Sequence, residues 1–237
     1  MGIAENVAEI RERMASAARR VGRHADDVVL MGVSKTFPAE AIREAYTAGI
    51  RVFGENRVQE FADKAKAELL RDLPDAEWHL IGHLQSNKAN KAAELFHAVD
   101  SVDSLRLAER LNTAAAALRK KLRVLIEINI GGEEAKAGLQ PSSPEFEQIL
   151  QAAQRLEHLE IQGLMAIPPF AENPESTRLY FRKLRELRDA VSSRRLPSVG
   201  MDVLSMGMSH DFEVAIEEGS TCVRVGTAIF GVRETRK

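Results

Sequence analysis

Eight short apolar runs, each followed by a segment of helical period, succeed one another along these 237 residues. Alternation of this kind specifies a parallel sheet covered on both faces, because parallel neighbours need a crossover and the crossover is a helix. The runs fall at residues 28–33, 50–54, 76–82, 96–102, 122–130, 159–165, 199–204 and 221–225. Helical segments are predicted over about 38–48, 55–73, 86–95, 104–118, 144–156, 174–191 and 212–218, with a final turn after residue 225. A further helix over 3–21 precedes the first run: Ile3, Val7, Ile10, Met14, Ala17 and Val21 recur at spacings of three and four, and Gly22 closes it. Eight units fit a closed (β/α)8 TIM barrel with that first helix as an extra outer element. The alternative is an open doubly wound sheet, but Gly32-Val33-Ser34-Lys35-Thr36 after the first run is no Gly-x-Gly-x-x-Gly fingerprint. No linker or low-complexity stretch divides the chain, so residues 1–237 read as one domain.

Composition narrows the classes of function. A net charge of -2 gives no strong attraction to nucleic acid or to a membrane surface. No apolar stretch reaches the length of about 20 residues that spans a bilayer. The start of the chain has neither a signal-peptide core nor, with Asn6 at the Ser/Thr position, a myristoylation signal; the expected setting is the cytoplasm. The single cysteine, Cys222, allows no internal disulfide and no cysteine metal site, and its apolar neighbours mark it as a small core residue. No metal is expected.

The first run delivers a lysine. Barrel chemistry sits where strands end, and Lys35 lies just past its strand and before Phe37-Pro38, where a helix can begin. Taken alone, Lys35 is equally a side chain emerging into solvent. The last two loops add weight to the chemical reading. Barrels commonly hold phosphate after strands seven and eight, and here those loops read Ser205-Met206-Gly207-Met208-Ser209 and Arg224-Val225-Gly226-Thr227. Both offer glycines for close approach and hydroxyl donors, although each singly is ordinary turn chemistry. Strand alternation places Met31 and Val33 on the side of Lys35, and Val223 and Val225 opposite Arg224. An inward Arg224 then needs an acceptor, either an internal partner such as Glu127 or Asp202 or a bound ligand. A lysine and a phosphate site in one mouth call for an aldehyde that carries a phosphate, and pyridoxal 5'-phosphate (PLP) meets both demands.

The same residues carry a resemblance. The chain resembles the pyridoxal phosphate homeostasis proteins (YggS-like or PROSC-like) in seven ordered segments: residues 32–36, 53–60, 78–88, 132–138, 163–166, 204–209 and 224–231. Leu80, where the family more often has Phe or Met, departs only in packing. The family looks like the N-terminal barrel of alanine racemase (fold-type III) without its second domain. The resemblance implies that Lys35 forms a Schiff base with PLP and that Ser205, Gly226 and Thr227 hold the phosphate. It implies that Asn56 lines the cofactor, with Met206 and Ser209 close by. Arg224 would face the pyridine nitrogen, as in alanine racemase, or the phosphate. It further implies a carrier that buffers and delivers PLP to PLP-requiring apoenzymes, without established turnover and without catalytic residues.

An arginine at the ring nitrogen would leave the electron sink weak, which disfavours transamination. Racemisation needs a second base on the opposite ring face. Tyr46 and Tyr180 fall on predicted outer helices, which leaves His79 and His83 after strand three; with no visible orienting partner both read as structural, His79 packing beside Trp78 and His83 exposed. A PLP-dependent racemase, and a barrel binding some other phosphorylated metabolite, remain the alternatives. Glu133, Glu134 and Lys136 form a charged loop on the active face, either plainly solvated or a lid or docking surface. With no apolar surface stripe, the chain is expected to be a monomer.

Overall fold

The computed structural model describes residues 2–65, 69–133 and 136–231. Among them, eight parallel strands close a barrel in sequence order: β1 (Val29–Val33), β2 (Val52–Glu55), β3 (Glu77–Leu80), β4 (Ala98–Val102), β5 (Leu122–Ile128), β6 (Leu159–Ala166), β7 (Val199–Met208) and β8 (Cys222–Val225). Closure rests on the pairing of β1 with β8, Met31 opposite Arg224 and Gly32 opposite Val225. The open-sheet alternative is thereby excluded. The helices are α1 (Ile3–Arg20), α2 (Ala39–Thr47), α3 (Val58–Ala65), α4 (Leu69–Asp72), α5 (Ala89–Leu95), α6 (Leu105–Ala117), α7 (Pro144–Ala152), α8 (Arg178–Ser193), α9 (Phe212–Glu217) and α10 (Thr227–Phe230). Ser104 and Ser143 cap α6 and α7 through their hydroxyls, and Pro144 opens α7 at a position where its missing N–H costs nothing. Among the described residues no helix is long and apolar enough to cross a membrane.

Two concentric layers follow from strand alternation. Alternate strand residues such as Leu30, Phe53, Leu80, Val124, Ile126, Leu204, Val223 and Val225 face outward and join the helices in the main core. Phe53, Trp78, Phe61 and Phe96 stack in series there, with centroids 4.7–5.1 Å apart, and lock β2 and β3 to α3 and α5. The inner layer is small: Met31, Val33, Ile81 and Cys222, with Val52 and Val203 against them. Helix α1 lies outside the barrel, with Val7, Ile10, Met14, Ala17 and Ala18 buried, and Asn6 donates to the Ile229 carbonyl. Gly22 follows it with φ +71, which a glycine adopts without steric cost.

Three boundaries differ from the sequence reading. β7 runs on through Met208 instead of stopping at Leu204, because a register shift against β8 between Ser205 and Met208 lets the strand bend and continue. The helix expected from residue 55 begins at Val58, and helical residues are described over 58–65 and 69–72, with residues 66–68 outside the described part. β5 stops at Ile128, and Leu139 returns to bridge it.

Candidate functional site

All eight strands run the same way, so their C-terminal ends form one rim. Lys35 sits on it, half-buried in the turn after β1. The turn is braced from the helix layer. Ser34 is fully buried and its hydroxyl donates to Glu55 Oε1 at 2.7 Å. Lys64 Nζ, from α3, donates to the Ser34 carbonyl at 2.9 Å and to both Glu55 oxygens at 2.8 and 3.0 Å. Glu60 accepts from the Thr36 N–H and pairs with Lys64 at 3.0 Å. These contacts hold Thr36 at φ +67, a conformation a β-branched residue rarely adopts. Asn56 follows β2, and its backbone is fixed by close approach: a Cβ at Gly82 would lie 2.4 Å from the Asn56 carbonyl oxygen.

Three of the expected residues converge after β7 and β8. Ser209 Oγ accepts from the Gly226 N–H at 3.3 Å and from the Ala228 N–H at 3.4 Å, with Thr227 between them at the start of α10. Gly226 packs on β1: a Cβ there would lie 3.4 Å from Val33 Cβ. The register thus sets these donors beside the strand that delivers Lys35. Ser205 lies deeper. It pairs with Cys222 at the start of β8 and is fully buried, and its hydroxyl accepts from Arg224 at 2.7 Å. Alternation turns the Met206 side chain outward into the helix layer, where it is fully buried, while Ser205 faces in.

Arg224 faces the interior, as the phase of β8 requires, and is 3% exposed. Its acceptors are Ser205 Oγ and, at 2.8 Å, the Ala166 carbonyl. Among the described residues it makes no ion pair, so the internal pairing with Glu127 or Asp202 is not found; Asp202 lies at the opposite end of the barrel. Glu127 nonetheless feels Arg224 and His83 as favourable charges. Burial, reinforced by Asp103, outweighs them and pushes its carboxyl up to about 7.

The histidines also correct the sequence reading, because both have orienting carboxylates. His79 does not pack beside Trp78. It points into the N-terminal end of the barrel, lining a cavity of about 320 Å³ with Glu77, Asp100, Arg123 and Cys222. Its Nδ1 lies 3.1 Å from both oxygens of Asp100, which is 1% exposed, and its Nε2 lies 3.7 Å from Glu77. Burial alone would favour the neutral ring, but Asp100 and Glu77 overcome it and raise the imidazole to about 9. His83 is exposed at the mouth, with Nδ1 2.9 Å from Asp103. Tyr46 lies on α2 under Arg51 and Tyr180 on α8, both outside the barrel. Cys222 is a buried inner-layer residue whose thiol is pushed up to about 12 by burial, which leaves it unreactive.

Sequence reasoning missed the Glu55–Lys64–Glu60 brace and the His79–Asp100 pair. A partial signal existed: Glu55 ends β2 and Lys64 lies in the last turn of the helix that follows, and Glu60 and Lys64 are one helical turn apart. The loop after β5 is pinned by Asn129, whose side-chain amide donates to the carbonyls of Glu133 and Lys136, and Lys136 pairs with Glu133. Glu134, the remaining residue of the expected charged loop, lies outside the described residues.

Comparison with known proteins follows the same geometry. The family pattern described as alanine racemase, N-terminal domain, matches residues 5–234. A protein of Aquifex aeolicus named pyridoxal phosphate homeostasis protein is 47% identical over 234 residues, covering 99% of this chain and all of the relative. The solved structure of PipY from Synechococcus elongatus with PLP bound superposes with a TM-score of 0.79 at 41% identity, covering 94% of this chain and 100% of PipY. Alanine racemase of Clostridium difficile matches in fold alone, with a TM-score of 0.68 at 18% identity; 98% of this chain covers 58% of that enzyme.

Proposed function

The chain belongs to the alanine racemase N-terminal domain family and, within it, to the pyridoxal phosphate homeostasis proteins; from that premise we propose that it binds PLP in the barrel mouth and carries it. The observation that carries this reading is the placement of a braced lysine turn on the rim beside converging hydroxyl and amide donors. The donor set suits the ligand: a primary amine for the aldehyde, Ser209 with the Gly226 and Thr227 segment for the phosphate, and an inward arginine for the ring or phosphate. When bound, PLP supplies an aldehyde reactive toward primary amines and an electron-withdrawing ring. Lys35 is the attachment point, and its brace keeps the turn in place between loading and release. Asn56 lines the ligand at the end of β2. Ser205 acts one layer below, orienting Arg224 instead of touching phosphate. Met206 contributes packing behind the loop.

The whole chain, residues 1–237, serves as the one cofactor-binding domain, working as a monomer in the cytoplasm and delivering PLP to apoenzymes that require it. The relatives' names support a carrier, and so does the outward position of both tyrosines. The test is equilibrium dialysis against PLP, followed by transfer to a PLP-requiring apoenzyme and an assay of amino-acid turnover. Stoichiometric, reversible loading with transfer and no steady-state conversion is the expected result. Conversion of an amino acid at many turnovers per site would overturn it.

One observation favours a second reading, a racemase. His83 is oriented by Asp103 at the mouth, the arrangement a general base needs. That reading requires exchange of the α-proton of an amino acid in heavy water, lost in His83→Gln. The carrier reading expects no exchange above the rate with free PLP.

A further inference from the structure

Glu127 is the last inward residue of β5. Val124, Ile126 and Ile128 face the helices, so alternation turns Glu127 into the barrel at its C-terminal end. The residue is 7% exposed, and Oε2 is buried with no hydrogen-bond partner among the described residues. Such an oxygen is costly, because it has given up water and received nothing. The fold has no evident use for it: the backbone of β5 pairs with β4 and β6 whatever the side chain, and an apolar residue of similar volume would fill the space more cheaply. The loop after β5 closes over it. A Cβ at Gly138 would lie 3.2 Å from Glu127 Cγ, and Gly138 has φ +101, so only glycine fits there without strain.

The position of the group explains the cost. In a ring ordered β1 to β8, β5 stands across the barrel from β1, so Glu127 faces the mouth from the side opposite the strand of Lys35. A ligand attached at Lys35 and anchored at the loops after β7 and β8 has its remaining edge toward β5. We propose that Glu127 is a ligand-contacting residue, whose unpartnered carboxyl oxygen makes its hydrogen bond to a polar atom of bound PLP. This rests on the reading of the site as a PLP carrier. The charged groups that face Glu127 are Asp103 after β4, His83 after β3 and Arg224 on β8. Their balance with burial lets the carboxyl present either a proton or a lone pair near neutral pH.

The test uses the full chain with Glu127→Gln and Glu127→Met. Three quantities are read: the melting temperature of the PLP-free protein at pH 8, the dissociation constant for PLP, and the yield of borohydride-trapped adduct on Lys35 at saturating PLP. Both variants are expected to melt at higher temperature without PLP and to bind PLP roughly tenfold more weakly, Met more so than Gln, while the saturated adduct still forms. Wild-type affinity in a stabilised variant would make Glu127 an internal burden with no ligand role and overturn the proposal. A lower melting temperature in both variants would make it a structural residue and overturn it equally. Failure of the carrier reading shows separately, as absence of the Lys35 adduct in the wild-type protein.

Discussion

The two ends of the barrel interior treat charge in opposite ways. At the N-terminal end, His79 lies between Asp100 and Glu77, and Arg123 pairs with Glu77 at 2.8 Å. These groups are paired with opposite charges, and the pKa values of two of them move in the direction that keeps them ionised: His79 up to about 9, Glu77 down to about 2. At the C-terminal end, Glu127 is buried with no hydrogen-bond partner for Oε2 among the described residues, and burial pushes its carboxyl up to about 7. Same barrel, same kind of inward strand position, and opposite outcomes. Each end leaves one buried polar atom without a hydrogen bond among the described residues, His79 Nε2 and Glu127 Oε2, but only His79 has carboxylates close enough to hold its charge.

The largest effect expected on that comparison comes from the closed end. Asp100→Ala leaves a buried imidazolium without its main counter-charge, and stability in urea should fall by roughly 3–5 kcal/mol. A loss under about 1 kcal/mol would show that the pair is not what holds that end together.

pH gives the next largest effect, with opposite origins at the two ends. His79 has a folded pKa raised from 6.5 to about 9, so its contribution is fully present below pH 6.5 and is lost as pH rises through 9. PLP-free protein should therefore lose about 3 kcal/mol between those values, and His79→Gln should abolish that slope. Glu127 also binds its proton more tightly in the folded state, its pKa raised from 4.5 to about 7. Its penalty is absent below pH 4.5 and complete above 7. Glu127→Gln should accordingly stabilise the protein by about 1–2 kcal/mol at pH 8, with the gain fading toward pH 4.5. Equal gains at both pH values would separate the stabilisation from the carboxylate charge.

The smallest effect is local to the rim. Thr36 carries the strain of φ +67 in the braced turn. Thr36→Asn, which tolerates that region better, should raise the melting point by the equivalent of up to about 1 kcal/mol. A decrease would mean that the threonine side chain, and not the brace from Glu60 and Lys64, holds the turn.

What the sequence makes legible follows from local rules. Period-two and period-3.6 patterns locate each strand and helix within a few residues, and phase alone sets Met31 and Val33 inside and Val223 and Val225 outside. The position of Lys35 at a strand end needs nothing more. What stays hidden depends on contacts between elements. Whether His79 meets Asp100 depends on the lateral register of β3 on β4, which pairs His79 with Ala98. The irregular pairing of β7 with β8 is equally invisible, so the sequence pattern ends β7 four residues early. Glu127 enters the sequence reading only as a partner for Arg224. That its Oε2 has no hydrogen-bond partner among the described residues becomes visible only in three dimensions.

Borohydride reduction of the PLP-loaded protein, followed by peptide mass mapping, decides whether Lys35 is the attachment point in the barrel mouth. A single pyridoxyl adduct on the peptide carrying Lys35, absent from Lys35→Ala, is expected. An unmodified Lys35 with the label on another lysine, or with no label at all, would contradict the assignment of the barrel mouth as the PLP site.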